Sequence, residues 1–286
     1  MRIGVLGIGG VGSLITARLS SINHEIYCLG SKESNHHIER NAISIESKFY
    51  GNTKVFPLSQ SKLQNKLDIL FITVKGTKLK TALEDYKEYF DENTIAISLL
   101  NGLGHKEFIR KGYEMKLIVA SIGNLEVSLN ESRTAIHKTN KNPLIAMSSD
   151  EKEVYEDIKN INNLMNKIKI NSEIIKDENT LIWRKLRRLC VISTITSIKN
   201  SNIGYARSDK DLRKIMNELI NEVCSISRGL KIKCDEKTVL NAIDNLPYDL
   251  NTSMQKDIYS GKPSEIDYIL KAPIVYGNKL NLKLPT

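Results

Sequence analysis

The sequence opens MRIGVLGIGGVGSLITARL, with Gly7, Gly9 and Gly12 in G-x-G-x-x-G spacing. The pattern gains meaning from its flanks: it follows a short apolar run and opens a stretch of helical periodicity. In that setting the first glycine makes a tight turn. The second lets a pyrophosphate approach the backbone, and the third allows close helix packing. The helix start adds free N–H groups and a partial positive charge. The spacing predicts a dinucleotide site over Gly7, Ile8, Gly9, Gly10, Val11 and Gly12.

An NAD site usually carries Asp or Glu at the end of its second strand, to hold the ribose hydroxyls. Here that strand ends Cys28-Leu29-Gly30-Ser31-Lys32, with no carboxylate before Glu33. Ser31 and Lys32 could instead meet a 2′-phosphate, so the sequence favours NADP. Two further polar residues follow apolar runs: Lys75 after LDILFITV and Asn101 after TIAISLL. In an open parallel sheet, ligands bind beyond the carboxyl ends of the strands, so both are expected near the glycine turn.

A third candidate lies in LIWRKLRRLCVIS (181–193), where four of five positions from 184 are basic. At about 100° per residue, Ile182, Leu186, Leu189 and Ile192 form one broad arc, and Lys185 falls inside it. Arg184, Arg187 and Arg188 read as a solvated opposite face. A lysine pointing where a core residue should point either buries its stem and sends its head to water or is partly desolvated, with a pKa lowered because burial disfavours its charged form. The lowered value suits a proton donor near neutral pH.

These residues need a frame. Apolar runs at 2–6, 24–30, 67–74, 94–100 and 115–121 read as strands, KVFPL near 54–58 as a weaker one, and 134–149 as one or two more. Between them, 11–21, 77–90 and 151–169 read as helices, with INSEII as a last strand. Alternation of strand and helix implies parallel crossovers. After about 177 the strand pattern disappears, and helices are expected over 179–199, 208–229, 236–246, about 249–260 and from 264. The fold class is therefore an α/β Rossmann-type doubly wound sheet followed by a smaller all-α domain, with domains at 1–176 and 177–286.

At 286 residues the chain has room for two such domains. Its four cysteines are scattered, with no C-x-x-C pair, which argues against a metal site and for a reducing, cytoplasmic compartment. No apolar run reaches the roughly 20 residues of a membrane span, and no cleavable signal pattern is present. The net charge is +9, but the lysines are dispersed and aromatic residues are only 6%, which argues against a nucleic-acid surface. A basic chain still attracts small anions.

The sequence resembles the ketopantoate reductase family (2-dehydropantoate 2-reductases) over nearly its whole length. The resemblance rests on the glycine motif, SLLNGLG, WRKL and TSMQKDIYSGKPSEIDYI (252–269). It implies a Rossmann-type domain and a helical domain with the active site in the cleft between them. It also implies NADPH-dependent reduction of a 2-oxo acid, ketopantoate in the family, on the route to pantothenate and coenzyme A. By position it makes Lys185 the catalytic lysine, Glu265 the active-site carboxylate and Ser253 a substrate contact, with Lys75 and Asn101 lining the nicotinamide and substrate region. Asp267, three after Ser264, reads as a capping-box acid. A homodimer is among the assemblies left open.

Several positions depart from the family. Ser31 stands where an arginine often holds the 2′-phosphate, leaving Lys32 to substitute. Leu189 and Ser193 stand at positions where the family places substrate-contacting asparagines, and Leu189 cannot hydrogen-bond a hydroxyl or carboxylate. Asn200 and Asn202 lie near a further family asparagine. Relatives usually continue with another helix beyond Pro285-Thr286. These changes leave open a related reductase for another oxo acid, or a nucleotide-binding sensor without catalysis.

Overall fold

The computed structural model describes residues 1–286. In chain order the elements are β1 (Arg2–Leu6), α1 (Gly10–Leu19), β2 (Glu25–Leu29), α2 (Lys32–Arg40), β3 (Ile43–Ser47), β4 (Thr53–Val55), β5 (Leu58–Ser59), β6 (Ile69–Ile72), α3 (Leu79–Tyr86), β7 (Ile95–Ser98), α4 (His105–Gly112), β8 (Lys116–Gly123), β9 (Val127–Leu129), β10 (Ala135–His137), β11 (Leu144–Ser148), α5 (Tyr155–Lys167) and β12 (Asn171–Ile174). The helices α6 (Glu178–Ile198), α7 (Ile203–Ser208), α8 (Lys210–Gly229), α9 (Glu236–Asp244), α10 (Ser253–Tyr259) and α11 (Ala272–Lys279) follow. A π-helical turn, Asp267–Lys271, leads into α11.

The chain forms two compact units, Met1–Leu100 with His105–Leu181, and Asn101–Gly104 with Ile182–Thr286. The division falls inside α6, five residues beyond the expected 176, and the turn at 101–104 belongs with the helices.

In the first unit an eight-stranded sheet runs β12-β11-β8-β7-β6-β1-β2-β5. Its pairs are parallel except β11 with β8. All four residues of β6 (ILFI) are buried, as expected of a strand covered on both faces. From β1 the chain winds outward through β2 to β5, then returns to place β6 on the other side of β1. That reversal is a topological switch point, where open sheets bind ligands. A four-stranded sheet, β4-β3-β10-β9, packs on α1. Neither β3 nor β9, nor helices α2 and α4, was expected from the sequence, because their apolar residues are few and their burial comes from distant partners.

The segment expected as one helix over 77–90 is α3 with a 3-10 turn at either end, Gly76–Lys78 and Lys87–Tyr89. Before α6, Glu178 is fully buried and accepts from Arg110, from Lys106 Nζ at 3.0 Å and from the Asp150 backbone N–H at 3.0 Å. Arg110 also pairs with Glu151.

The second unit is all helical. Its core gathers Trp183, Leu186, Val191 and Ile195 from α6 with Leu212, Met216, Ile220 and Val223 from α8. The spacing of those α8 residues gives one apolar stripe. Asp209 caps α8 by accepting from the N–H groups of Asp211 and Leu212. No helix of the chain is long and apolar enough to cross a membrane.

Candidate active site

The glycine turn sits at the carboxyl end of β1, at the switch point. Gly7 has φ +97°, and a Cβ there would meet Val74 backbone nitrogen at 2.7 Å, so only glycine fits this turn. Thr73 Oγ1 locks it by donating to the carbonyls of Leu6 and Gly7 at 3.0 and 2.6 Å. A Cβ on Gly12 would collide with the Gly7 carbonyl, and one on Gly10 would lie 2.7 Å from the Val127 carbonyl oxygen. These two glycines let α1 lie tight against the turn and against β9. Gly9 differs: a Cβ there would meet nothing within 4 Å. It is exposed, precedes α1 and offers no side-chain cap to the helix's first N–H groups. No acidic residue sits in that first turn. Open space in front of unclaimed donors fits a pyrophosphate. Ile8 and Val11 shape the turn from the apolar side, Ile8 buried and Val11 partly buried.

Beyond β2, Ser31 caps α2, its Oγ accepting from Ser34 N–H at 3.3 Å. Lys32 is exposed in the first turn. No sequence pattern points to Arg133, which reaches this corner from the loop between β9 and β10. Its guanidinium donates to Ser34 Oγ at 2.9 Å and lies 3.4 Å from Glu33 Oε1. The contact joins positions 99 residues apart, and no local pattern reports it. Lys75 is exposed just after β6, its carbonyl closing the turn to Lys78 N–H at 2.8 Å.

The second cluster lies in the helical unit. Lys185, on α6, is half-buried. Burial pushes its ammonium down to about 8; Arg188 pushes the same way and Glu265 opposes both. Glu265 is 7% exposed and stands just before the π-helical turn. Asn101 Nδ2 donates to Glu265 Oε2 at 3.5 Å. The Asn101-Gly102 turn is also demanding backbone chemistry. Gly102 has φ +92°, and a Cβ there would lie 2.5 Å from the Tyr268 carbonyl oxygen. Lys185, Glu265 and Asn101 are thus brought together.

Other sequence expectations change. Arg188 is not part of a solvated face: it is half-buried and burial lowers its pKa. Three residues advance about 300° around a helix, which returns Arg188 to within about 60° of Lys185. Of its neighbours, Arg184 is exposed, while Arg187 donates to the Lys233 carbonyl at 3.0 Å. Asp267 caps nothing; it is exposed and pairs with Lys271 at 3.6 Å. Ser253 is the exposed first residue of α10, beside the buried cap Thr252, which forms a capping box with Gln255. Asn202 caps α7, and Asn200 accepts from Gln255 Nε2 at 3.1 Å. Leu189 is partly buried, and Ser193 is fully buried with its Oγ lacking a hydrogen-bond partner.

The family model "Ketopantoate reductase PanE/ApbA" matches residues 3–148, and "Ketopantoate reductase PanE/ApbA C terminal" matches 177–286. The chain is 24% identical over 293 residues to the uncharacterized oxidoreductase YkpB of Bacillus subtilis (strain 168), covering all of this chain and 95% of that protein. It is 25% identical over 295 residues to the 2-dehydropantoate 2-reductase of Pyrococcus horikoshii, covering 100% and 93%. Among solved structures, D-mandelate dehydrogenase with NADH and anilino(oxo)acetate superposes with a TM-score of 0.89 at 19% identity, covering 100% of this chain and 94% of that one.

Proposed function

The chain belongs to the ketopantoate reductase family, and on that premise we propose that it reduces a 2-oxo acid to the 2-hydroxy acid at the expense of NADPH, with ketopantoate the first substrate to test. The observation that carries the reading is the half-buried Lys185, poised near pH 8 beside the buried Glu265. Structural lysines on an apolar face send the ammonium to water; this one is held against a carboxylate and a second cation.

When bound, NADPH supplies the hydride. The turn around Gly9 and the first N–H groups of α1 would hold the pyrophosphate. Lys32 and Arg133 would meet the 2′-phosphate, taking the place of an arginine at 31. As the oxo carbon gains hydride, its oxygen gains negative charge. The Lys185 ammonium stabilises that charge and delivers the proton to the oxygen, and solvent then returns a proton to the amine. Glu265 raises the fraction of Lys185 that is protonated and orients it, while Asn101 fixes the carboxylate.

A second form of this reading has a specific basis. Leu189 and Ser193 stand where relatives are expected to present asparagines, so a related oxo acid without ketopantoate's hydroxyl is the alternative substrate. The test is spectrophotometric: purified protein, NADPH or NADH, and a panel of 2-oxo acids including ketopantoate. Cofactor oxidation with ketopantoate supports the first form, and oxidation with another acid alone supports the second. Cofactor binding without turnover across the panel sinks both and leaves a nucleotide-binding sensor.

A further inference from the structure

Arg188 differs from the other arginines whose guanidinium is shifted. Arg110 faces Glu178 and Glu151, Arg213 faces Asp244, and Arg228 faces Glu236; each is raised by its carboxylate. Arg188 is lowered, burial is the cause, and no carboxylate offsets it. Arg184 and Lys185 both lie one turn earlier on α6, and of the two Lys185 is the half-buried one. The i, i+3 spacing sets the Lys185 and Arg188 side chains side by side, and the Arg188 charge disfavours the charged form of Lys185. Arg188 pushes against the charge of Lys185 and Glu265 supports it, while burial is the one cause acting on Arg188 itself. A half-buried guanidinium so placed suits an anionic ligand.

The anion is defined by what surrounds it. Arginine presents a planar fork that matches a carboxylate with two parallel hydrogen bonds. In a 2-oxo acid the carboxylate and the carbonyl sit on adjacent carbons. A carboxylate held by Arg188 therefore brings the 2-oxo oxygen toward the neighbouring ammonium. On the other side of Lys185, Leu189 offers a wall with no hydrogen-bonding group.

We propose that Arg188 is the carboxylate-binding residue for the substrate, and that the substrate is a monocarboxylic 2-oxo acid with an apolar side chain toward Leu189. This rests on the reductase reading and sharpens its second form. Substrates that keep the carbonyl but lose the acid, such as esters and amides, are rejected, because they leave the guanidinium uncompensated.

The test is calorimetric titration of the full-length protein saturated with NADP⁺. The probes are oxamate, a carboxylate that resists reduction, and its neutral amide, oxamide. Wild type binds oxamate and not oxamide. Arg188→Gln loses oxamate affinity by about 30-fold or more, as when one partner of a buried charge pair is removed. Arg188→Lys recovers part of it, because the ammonium keeps the charge but not the fork. NADP⁺ binding and circular dichroism show that each variant is folded; should Arg188→Gln fail there, Arg188→Lys and the oxamide comparison decide. With a reducible acid, Arg188→Gln raises KM far more than it lowers kcat. Unchanged oxamate affinity in Arg188→Gln, equal binding of oxamide, or no oxamate binding by wild type overturns the proposal. If wild type binds oxamate through Arg188 yet reduces no acid, the carboxylate site stands and the reductase reading falls. If it reduces acids with the same KM in Arg188→Gln, the reverse holds.

Discussion

The amide of Asn101 donates to the carboxylate of Glu265 across 164 positions of sequence, Nδ2 to Oε2 at 3.5 Å. One residue comes from the turn after β7 and the other from the approach to α11, and both belong to the helical unit. Glu265 in turn acts on Lys185 through its charge. A residue that the sheet's strand order alone would assign to the cofactor is thus joined to the pair of Glu265 and Lys185.

Lys185→Ala should lower turnover by about 10²–10⁴-fold, the usual contribution of a positioned proton donor, while NADPH affinity changes little. The pH dependence follows from the same group. Its reactive form in reduction is the ammonium, whose pKa is about 8. The rate of reduction should hold steady below that value and fall about tenfold per pH unit above it. Oxidation of the 2-hydroxy acid, which needs the neutral amine, should rise over the same range. Burial does most to set this value; Arg188 adds to the lowering and Glu265 opposes it. Glu265→Gln should therefore move the break to lower pH. A pH–rate profile unchanged in that variant removes the carboxylate from the mechanism.

Gly9→Ala and Gly12→Ala should separate binding from folding. A methyl at 9 fills space that no protein atom uses, so thermal stability should be unaltered while NADPH binding weakens by tenfold or more, on the order of one lost charge-assisted hydrogen bond. A methyl at 12 runs into the Gly7 carbonyl, and the protein should lose about 1–3 kcal/mol as overpacked sites do. Fluorescence titration and urea unfolding read the two effects. Equal NADPH affinity in Gly9→Ala would place the pyrophosphate elsewhere.

Arg133→Gln should weaken NADPH binding by about tenfold, the scale of a hydrogen bond to a charged group, and leave NADH binding as it was. Lys32→Ala should act in the same direction. The ratio of the two dissociation constants is the readout; a variant that weakens both cofactors equally would make Arg133 a structural link to α2 and nothing more.

Glu178→Gln should cost about 3–5 kcal/mol, because it leaves the cations of Arg110 and Lys106 facing a neutral group in a buried site. Burial alone would raise the Glu178 carboxyl, but hydrogen bonds from Arg110, from the Asp150 backbone and from Lys106 outweigh it and hold the carboxyl below its ordinary value. A depressed carboxylate contributes stability above its unfolded pKa of about 4.3, and that contribution is lost as pH falls through the folded value. The gap in urea midpoint between wild type and variant should be full at pH 7 and close in acid. A gap that persists at pH 2 would assign the effect to packing.

How much of this was legible in the sequence depends on distance along the chain. The glycine turn, β1, β6, β7, β8 and the amphipathic α5 and α8 are read from neighbours within one strand or one helix, where period and turn chemistry act locally. The lysine at 185 was found by the same means. Arg188 departs from the expected solvated face, because three residues along α6 the helix has turned it back to within about 60° of Lys185.

The sequence by itself determined the strand-turn-helix that can accept a dinucleotide, the change from alternating to all-helical order, and an ammonium placed on an apolar arc, because each depends on backbone preferences and spacing. Only the tertiary structure decided that Asn101 serves Glu265, that Arg133 reaches the corner after β2, that Glu178 is buried between two cations and that Arg188 is half-buried. Those facts depend on which distant side chains exclude water from a charge and which supply its opposite, and no local pattern encodes that.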